Sequence, residues 1–145
     1  MRKVKITIEI FCLSATVLIF AFLGCGNNKY YSSPEEVIQA NIDYMNAENL
    51  EGTMSTFHPD SPTFDITEKL VKKIFDIYDL NYKIEKLKVT AEDAKEATVE
   101  FTQLTRRLNG PAFRNNRVTG KHLIKKNGDS WKIYSTQILN SEYLN

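Results

Sequence analysis

The chain is poor in the residues that most often carry redox or nucleophilic chemistry. Its 145 residues include two cysteines, two histidines and one tryptophan. The cysteines do not form a Cys-x-x-Cys pair, the six glycines never form a Gly-rich phosphate loop, and there is no Gly-x-Ser-x-Gly elbow. The sequence therefore gives no support to redox, phosphate-binding or hydrolase functions, and it predicts no cofactor.

The chain also has no large excess of charge of either sign. The chain has 19 basic and 18 acidic residues, whereas nucleic-acid binders carry a basic stripe or a strongly basic domain. We therefore expect no nucleic-acid partner. A hydrophobic content of 42% with 26% charged residues suits one ordinary globular domain.

Long apolar runs are absent as well. The longest spans residues 10–23 and follows a basic start at Arg2, Lys3 and Lys5. A membrane-spanning helix needs about 17–25 apolar residues, and extending this run backwards would include Glu9, which is costly in hydrocarbon. A basic start followed by a short apolar run is typical of a secretory signal.

The run ends in Phe22-Leu23-Gly24-Cys25, which resembles the lipobox of bacterial lipoproteins. The resemblance implies cleavage before Cys25, acylation of its thiol by fatty acids such as palmitate, and a chain tethered to a bacterial membrane on the extracytoplasmic side. Cys25 would then be the only cysteine left, so no intramolecular disulfide is expected. An ordinary cleaved signal that leaves Cys25 free is the alternative. We predict a signal peptide at residues 1–24, a tether at 25–33 and a domain at 34–145.

The first part of that domain shows three helix patterns. Ser33-Pro34-Glu35-Glu36 predicts a capped helix start with a capping box, and the helix should end near Glu48. Asn49 can cap a short second helix, which the stretch from His58 to Pro62 ends. Thr63 or Asp65 can cap a third, amphipathic helix that continues to about Tyr78.

From Asn81 onward the apolar period changes to two. A change of phase between Ile84 and Leu87 predicts a bulge in the first strand. Three more strands follow at residues 95–107, 115–126 and 131–139, separated by turn residues. The order predicts an α+β fold, in which three N-terminal helices pack on a curved four-stranded antiparallel meander.

Two stretches make this order resemble the nuclear transport factor 2-like (NTF2-like) superfamily of SnoaL/ketosteroid isomerase-type cones. They are the short helix ending in His58-Pro59-Asp60, and the turn and strand Gly128-Asp129-Ser130-Trp131-Lys132-Ile133. The resemblance implies a curved sheet around helices with a pocket at the open end. Members include isomerases, dehydratases and non-catalytic domains, so the fold alone assigns no activity.

Pairing the last strands from the turn at Gly128 predicts which polar residues face inward. It places Lys126 opposite Trp131, Ile124 opposite Ile133, His122 opposite Ser135 and Gly120 opposite Gln137. Val99 would lie beside His122, Phe101 beside Gly120 and Gln103 beside Val118. The candidate pocket residues are His122, Gln103, Ser135, Gln137 and Tyr44.

These pocket candidates include no inward carboxylate, which argues against the acid–base pairs of related isomerases and dehydratases. The alternatives are an isomerase- or lyase-like enzyme using His122 with Tyr44 or Tyr78, and a core histidine without a functional role. Catalysis would need a pKa near the working pH and a substrate within hydrogen-bond reach.

Two further clusters have a functional and a structural interpretation. His58 and Asp60 are too few for a metal site, which needs three or four ligands, so we interpret them as a helix stop and predict no metal. A turn near Phe113 could present a basic surface to anionic head groups, cell-wall polymer or an acidic partner; the alternative is a solvated hairpin. The arginines of this surface are Arg106, Arg107, Arg114 and Arg117.

The sequence thus predicts a membrane-anchored envelope lipoprotein whose domain binds a small molecule or a protein partner without catalysis. An enzyme using a pocket histidine is the first alternative. A module that forms homodimers through the open sheet face is the second.

The anchor predicts the outcome of a labelling experiment. Cells grown with a radioactive or clickable fatty acid should incorporate the label into the wild-type protein and not into Cys25→Ser, because that substitution removes the acylated thiol. Label that persists in the variant would contradict the anchor.

Overall fold

The computed structural model describes residues 29–144, so the predicted signal and Cys25 lie outside the described residues. Three α-helices precede four β-strands, as predicted. Within residues 29–144 no helix has the length and apolar character needed to cross a membrane. The elements are α1 (Pro34–Asn46), α2 (Leu50–Ser55), α3 (Phe64–Ile77), β1 (Asp79–Glu92), β2 (Glu96–Asn109), β3 (Asn116–Asn127) and β4 (Ser130–Tyr143).

The strands form one antiparallel sheet in the order β1-β2-β3-β4, which confirms the meander. The pairing of β1 with β2 shifts between Ile84 and Lys86. Glu85 is therefore an extra residue on β1, and the bulge predicted from the change of apolar phase is present. The predicted pairing of β2 with β3 is also confirmed, because Val99 lies opposite His122, Phe101 opposite Gly120 and Gln103 opposite Val118.

Helix capping follows the sequence with two differences. Thr63 occupies the N-cap position of α3, but its side chain makes no capping hydrogen bond. The Ser33 hydroxyl accepts a hydrogen bond from the Glu36 backbone N–H at 3.1 Å. The Glu36 carboxylate, however, accepts from the backbone N–H and hydroxyl of Ser32 at 2.7 and 2.8 Å, so the predicted capping box is displaced by one residue. These bonds to Ser32 lower the pKa of Glu36. Asn49 caps α2 as predicted, accepting from the Gly52 backbone N–H at 2.8 Å.

The main core lies between α1 and the end of the sheet near the last turn. It includes Val37 and Ile38 of α1, Val99 of β2, and Ile124 of β3, none more than 2% exposed. A second, smaller cluster joins Ile42, Leu80 and Tyr82. In contrast, Val71 is the one buried residue of α3, although that helix is strongly amphipathic. The apolar face of α3 is therefore only partly covered.

Among residues 29–144, contacts to the outer edge of β4 are made only at its start. The Trp131 backbone N–H donates to the Tyr31 carbonyl at 3.1 Å, and the Ile133 N–H donates to the Thr56 carbonyl at 2.9 Å. The Ile133 carbonyl accepts from the His58 N–H at 2.8 Å. We call these three bonds the β4 clasp. Beyond it β4 continues to Tyr143, four residues past the predicted end at Leu139.

The side chain of Asn46 joins the end of α1 to β1. Its Oδ1 accepts from the Tyr82 backbone N–H at 2.7 Å, and its Nδ2 donates to the Tyr82 carbonyl at 2.9 Å. Asn46→Ala removes both bonds and leaves two backbone groups of a buried residue without partners. We expect it to lower the free energy of unfolding by about 1–3 kcal/mol, measured by urea denaturation.

Gln39→Ala is the matched control for Asn46→Ala. Gln39 is exposed and bonds only to Asp43 within α1, so its removal should change stability by less than about 0.5 kcal/mol. Equal effects of the two substitutions would contradict the role of Asn46.

Candidate functional site

A bulge in β4 determines which side chains meet on the sheet. Ile124 lies opposite Ile133, as predicted, but Leu123 lies opposite Ser135. Tyr134 is therefore an extra residue on β4, and the pairing beyond it moves by one position. The predictions that His122 lies opposite Ser135 and Gly120 opposite Gln137 are wrong.

The shift gives His122 a different partner, Thr136, which lies directly opposite it. The His122 Nδ1 is 2.8 Å from the Thr136 Oγ1. The imidazole also stacks on the Phe101 ring, with centroids 4.2 Å apart and an angle of 15° between the planes. Among residues 29–144, no carboxylate is hydrogen-bonded or ion-paired to His122.

This environment disfavours the charged imidazole. Burial of the ring lowers the pKa of His122 from 6.5 to about 4, because the surroundings supply no compensating negative charge. His122 is therefore neutral at pH 7. A pKa of about 4 lies below the range near the operating pH that best suits general acid–base catalysis.

Gly120 is what allows the Phe101 ring to lie flat on this part of the sheet. A Cβ at position 120 would be 2.8 Å from the Cε1 and Cζ of Phe101 and 2.5 Å from the Gln137 carbonyl oxygen. Any larger residue would push the ring away from His122. The stacked pair forms an uncharged floor on the inner face of the sheet.

A groove of about 360 Å³ lies beside this floor, between α3 and β4. It is at the lower end of the volumes that hold ligands. Its lining combines apolar side chains with hydroxyl groups and includes no charged residue. The lining residues are Phe57, Thr63, Ile66, Thr67, Leu70, Ser135 and Thr136.

The other predicted pocket residues are dispersed. Gln103 donates to the Thr105 hydroxyl at 3.3 Å. Gln137 is exposed and pairs with Lys121, whose ammonium is 3.1 Å from Glu100. Tyr44 lies against α2 in a different cleft. Of the five predicted residues, only Ser135 lines the groove.

The positions of Tyr78 and Asp60 are relevant to the alternative that the chain is an enzyme. Tyr78 packs edge-on against Phe113, with ring centroids 5.6 Å apart. Asp60 lies next to His58, whose Nδ1 accepts the Asp60 backbone N–H at 3.1 Å and is 4.0 Å from its carboxylate. His58 is buried and edge-on to Tyr134, a structural position that matches the helix stop. No group of three or more potential metal ligands occurs within residues 29–144.

The predicted basic surface is partly neutralised by neighbouring strands. Arg117 is 2.7 Å from Glu85 and 3.6 Å from Glu142, and it lowers the pKa of the Glu85 carboxyl. Arg107 donates to the carbonyls of the turn at Gly110 and Pro111, at 3.1 and 2.8 Å. The remaining two arginines have different surroundings. Arg114 lies over the Tyr143 ring at 4.0 Å, and Arg106 is exposed.

Sequence reasoning missed the exposed apolar residues that flank the groove. Ile66 and Leu70 of α3 are 66% and 57% exposed, and Ile138 and Leu139 of β4 are 54% and 55% exposed. One signal for β4 was available: no charged residue occurs from Ile133 to Ser141. An unpartnered edge strand usually carries charge.

The sequence also matches a described protein family. Residues 36–144 match the family described as the C-terminal domain of the anti-sigma-I factor RsgI9. The chain belongs to this family. A curated relative, the anti-sigma-I factor RsgI9 of Acetivibrio thermocellus, is 32% identical over 73 residues. This match covers 50% of the chain and 10% of the relative, so the chain spans about a tenth of that protein's length.

Solved structures confirm the NTF2-like fold. An NTF-2 like protein of unknown function from Shewanella oneidensis has a TM-score of 0.55 at 17% identity, covering 72% of this chain and 93% of that one. An uncharacterized cystatin fold protein from Novosphingobium aromaticivorans scores 0.57 at 14% identity, covering 72% and 96%. The beta subunit of benzoate 1,2-dioxygenase from Burkholderia mallei scores 0.55 at 13% identity, covering 72% and 85%. Identities this low show the fold alone.

The lowered pKa of His122 predicts a pH dependence of stability. The unfolded chain binds a proton at His122 near pH 6.5 and the folded chain only near pH 4. Stability from this group is therefore complete above pH 6.5 and is lost as the pH falls towards 4. Urea denaturation at pH 7 and pH 5 should show a smaller loss in His122→Asn than in the wild type. An equal loss in both proteins would contradict the neutral, desolvated imidazole.

Proposed function

We propose that the chain is a non-catalytic recognition module, in which an extended segment of a protein partner adds to the free edge of β4 and places side chains in the α3–β4 groove. The observation that carries this proposal is the contrast between the two edges of the sheet. The edge strand β1 carries the exposed charges Lys83, Glu85, Lys86 and Lys88. Beyond the β4 clasp, the other edge has none until Glu142.

The geometry limits the length of such a segment. β4 has two extra residues, Tyr134 and Leu139, and the stretch between them keeps a regular register from Ser135 to Ile138. Bulges interrupt ladder pairing, so a partner strand would make regular main-chain bonds over about four residues. This favours a short recognition motif over extended sheet stacking.

The groove supports a partner with apolar side chains. In a strand, alternate side chains point to the same face, so a segment paired with β4 would direct every second side chain towards Phe57, Ile66 and Leu70. Burying the exposed parts of such side chains contributes about 25 cal/mol per Å². The hydroxyls of Ser135 and Thr136 could bond polar groups, while the absence of charge from the lining disfavours ionic ligands.

The surroundings of His122, which stacks on Phe101, also support a non-catalytic role. His122 is neutral, is bonded to Thr136, and has no carboxylate partner among the described residues. Tyr44 and Tyr78, the tyrosines considered for the enzyme alternative, occupy other parts of the domain.

The predicted signal peptide and lipidation site at residues 1–25 suggest where the domain is located. Cleavage before Cys25 and acylation of its thiol would hold the domain at a bacterial membrane on the extracytoplasmic side, through the short tether at residues 25–33. The partner would then be an envelope protein or a segment of one.

Family membership favours a second candidate function. The curated relative is described as an anti-sigma-I factor, which raises a sigma factor as a protein partner. Mixing the purified chain with purified sigma factors of its host distinguishes the two: a stable complex would favour the sigma factor, while its absence favours an envelope partner.

Peptide selection tests the leading proposal. A random peptide library displayed on phage and selected on the purified full chain should yield extended apolar motifs. Ile138→Lys and Ile66→Lys should each weaken binding of the selected peptides at least tenfold, because they place a charge on the free edge and in the groove. Both side chains are more than half exposed, so neither substitution should unfold the domain.

Leu108→Lys is the matched control, since Leu108 is 66% exposed at the far end of β2. Equal peptide binding by all three variants would overturn the proposal. Self-association of the wild type that Ile138→Lys abolishes would instead identify a second copy as the occupant of the edge.

A further inference from the structure

The turn between β2 and β3 brings a cation to the far end of the β4 edge. Arg114 of this turn lies over the ring of Tyr143, with its Cζ 4.0 Å from the ring centroid. Tyr143 is the last residue of β4 and lies opposite Asn116 of β3. A planar guanidinium stacks well on an aromatic ring. The edge of β4 therefore ends beside a positive charge.

The chain is fixed on both sides of Arg114. The Phe113 ring packs edge-on against Tyr78, with ring centroids 5.6 Å apart, and it contacts the second core cluster. On the other side, the Asn115 carbonyl accepts a hydrogen bond from the Leu144 backbone N–H at 2.8 Å. The guanidinium is exposed, but the backbone that carries it is attached to the core and to the end of β4.

Tyr143 lies on the same face of the sheet as the α3–β4 groove. Ile138 pairs with Gly120, and Tyr143 pairs with Asn116. Gly120 and Asn116 are four residues apart on β3, and positions separated by an even number of residues share a face. The Phe101 ring of the floor beside the groove lies against Gly120. The guanidinium on Tyr143 is therefore on the face that carries the groove.

The charge of Arg114 is not neutralised by the strands around it. Among residues 29–144, no carboxylate forms an ion pair with Arg114. Glu142 of β4 pairs with Arg117 at 3.6 Å instead. Asp79 is at the same end of the sheet but on β1, the opposite edge strand. An arginine side chain has five N–H donors, so a planar donor group is available to a ligand here.

We propose that the partner segment on β4 carries an acidic side chain, Asp or Glu, that pairs with Arg114. This inference rests on the proposed function, because it assigns the chemistry of a segment which that function places on the β4 edge. Arginine offers two parallel N–H groups to a carboxylate. Its stacking on Tyr143 orients these groups before the segment binds.

The length of β4 limits where the acid lies in the segment. Five strand steps of about 3.3 Å separate Ile138 from Tyr143, about 16 Å in all. The bulge at Leu139 shortens this distance, and two long side chains bridge part of the remainder. We therefore expect the acid about three to five residues from the apolar side chain beside Ile138. In a segment antiparallel to β4, the acid lies on the N-terminal side of that apolar residue.

Peptides selected on the purified full chain, as described above, test this inference. Their sequences should be enriched in Asp or Glu at a fixed distance from the apolar residues. Fluorescence polarisation then compares each acidic peptide with a copy in which the acid is replaced by its amide. The wild type should bind the acidic copy about fivefold more tightly at about 50 mM salt, and salt at about 0.5 M should remove the preference.

Substitutions of Arg114 separate its charge from the rest of the surface. Arg114→Gln should bind both copies equally, with the affinity that the wild type has for the amide. Arg114→Lys keeps the charge without the planar group and should retain part of the preference. Arg106→Gln is the matched control and should keep the full preference. Arg106 is also exposed, but it lies on the outer face, where its charge acts on Glu85.

The failure of this inference is distinguishable from the failure of the proposed function. Peptides that depend on Ile138 and Ile66 but show no preference for an acid would overturn the inference alone. Equal weakening of both copies by Arg114→Gln would do the same, because it would indicate a structural role for Arg114. A selection that yields no peptides dependent on Ile138 and Ile66 would overturn the proposed function and this inference with it.

Discussion

The β4 clasp is the constraint on which the rest of the domain depends. Its three backbone bonds, from Tyr31, Thr56 and His58 to Trp131 and Ile133, attach the helical part to one edge of the sheet. They satisfy backbone groups that an edge strand would otherwise leave unpaired. They also end at Ile133, immediately before the bulge at Tyr134. From that point β4 separates from the helices, and no other strand or loop of residues 29–144 bonds to its outer edge.

The position of α3 follows from the same arrangement. The short α2 and the turn at His58 hold the start of α3 near the clasp, and Ile74 near its end packs against the second core cluster. Val71 is the one buried residue of α3, and Ile66 and Leu70 remain more than half exposed. The helix and the free edge of β4 therefore form the two walls of an open, uncharged groove.

The outer face of the sheet has a different character from the groove. Three charged pairs lie there. Glu100 with Lys121 and Glu96 with Lys125 join the neighbouring strands β2 and β3, and Glu85 of β1 reaches Arg117 of β3 across β2. Exposed pairs of this kind contribute little to stability, but they make the face polar. The uncharged β4 edge and groove therefore differ from this face in the kind of surface that they would offer to the partner proposed above.

Local sequence signals were sufficient for most of the fold. The helix caps at Ser33 and Asn49, the bulge near Glu85 and the turn at Gly128 each depend on residues close in sequence. The candidate site depended on long-range pairing, where one extra residue changes every later contact. The phase change in β1 was visible because apolar residues alternate on both sides of it. Tyr134 is followed by three polar residues, Ser135 to Gln137. The sequence there has no alternation of apolar residues from which the extra residue could be detected.

The exposed apolar face of α3 could not be predicted for a similar reason. The spacing of Ile66, Leu70, Ile74 and Ile77 indicates an amphipathic helix, but amphipathicity does not state what covers the face. A packed helix and a partly open one have the same sequence pattern. Only the three-dimensional distance between α3 and β4 distinguishes them.

Amide hydrogen exchange across the sheet most directly tests the claim that β4 has a free outer edge. In the unbound protein, amides of β4 between Ser135 and Tyr143 that point away from β3 should exchange rapidly, while the clasped amides of Trp131 and Ile133 should exchange slowly. Binding of a partner segment should slow the first group and leave the second unchanged. Slow exchange of the outward amides in the monomeric, unbound protein would contradict the account.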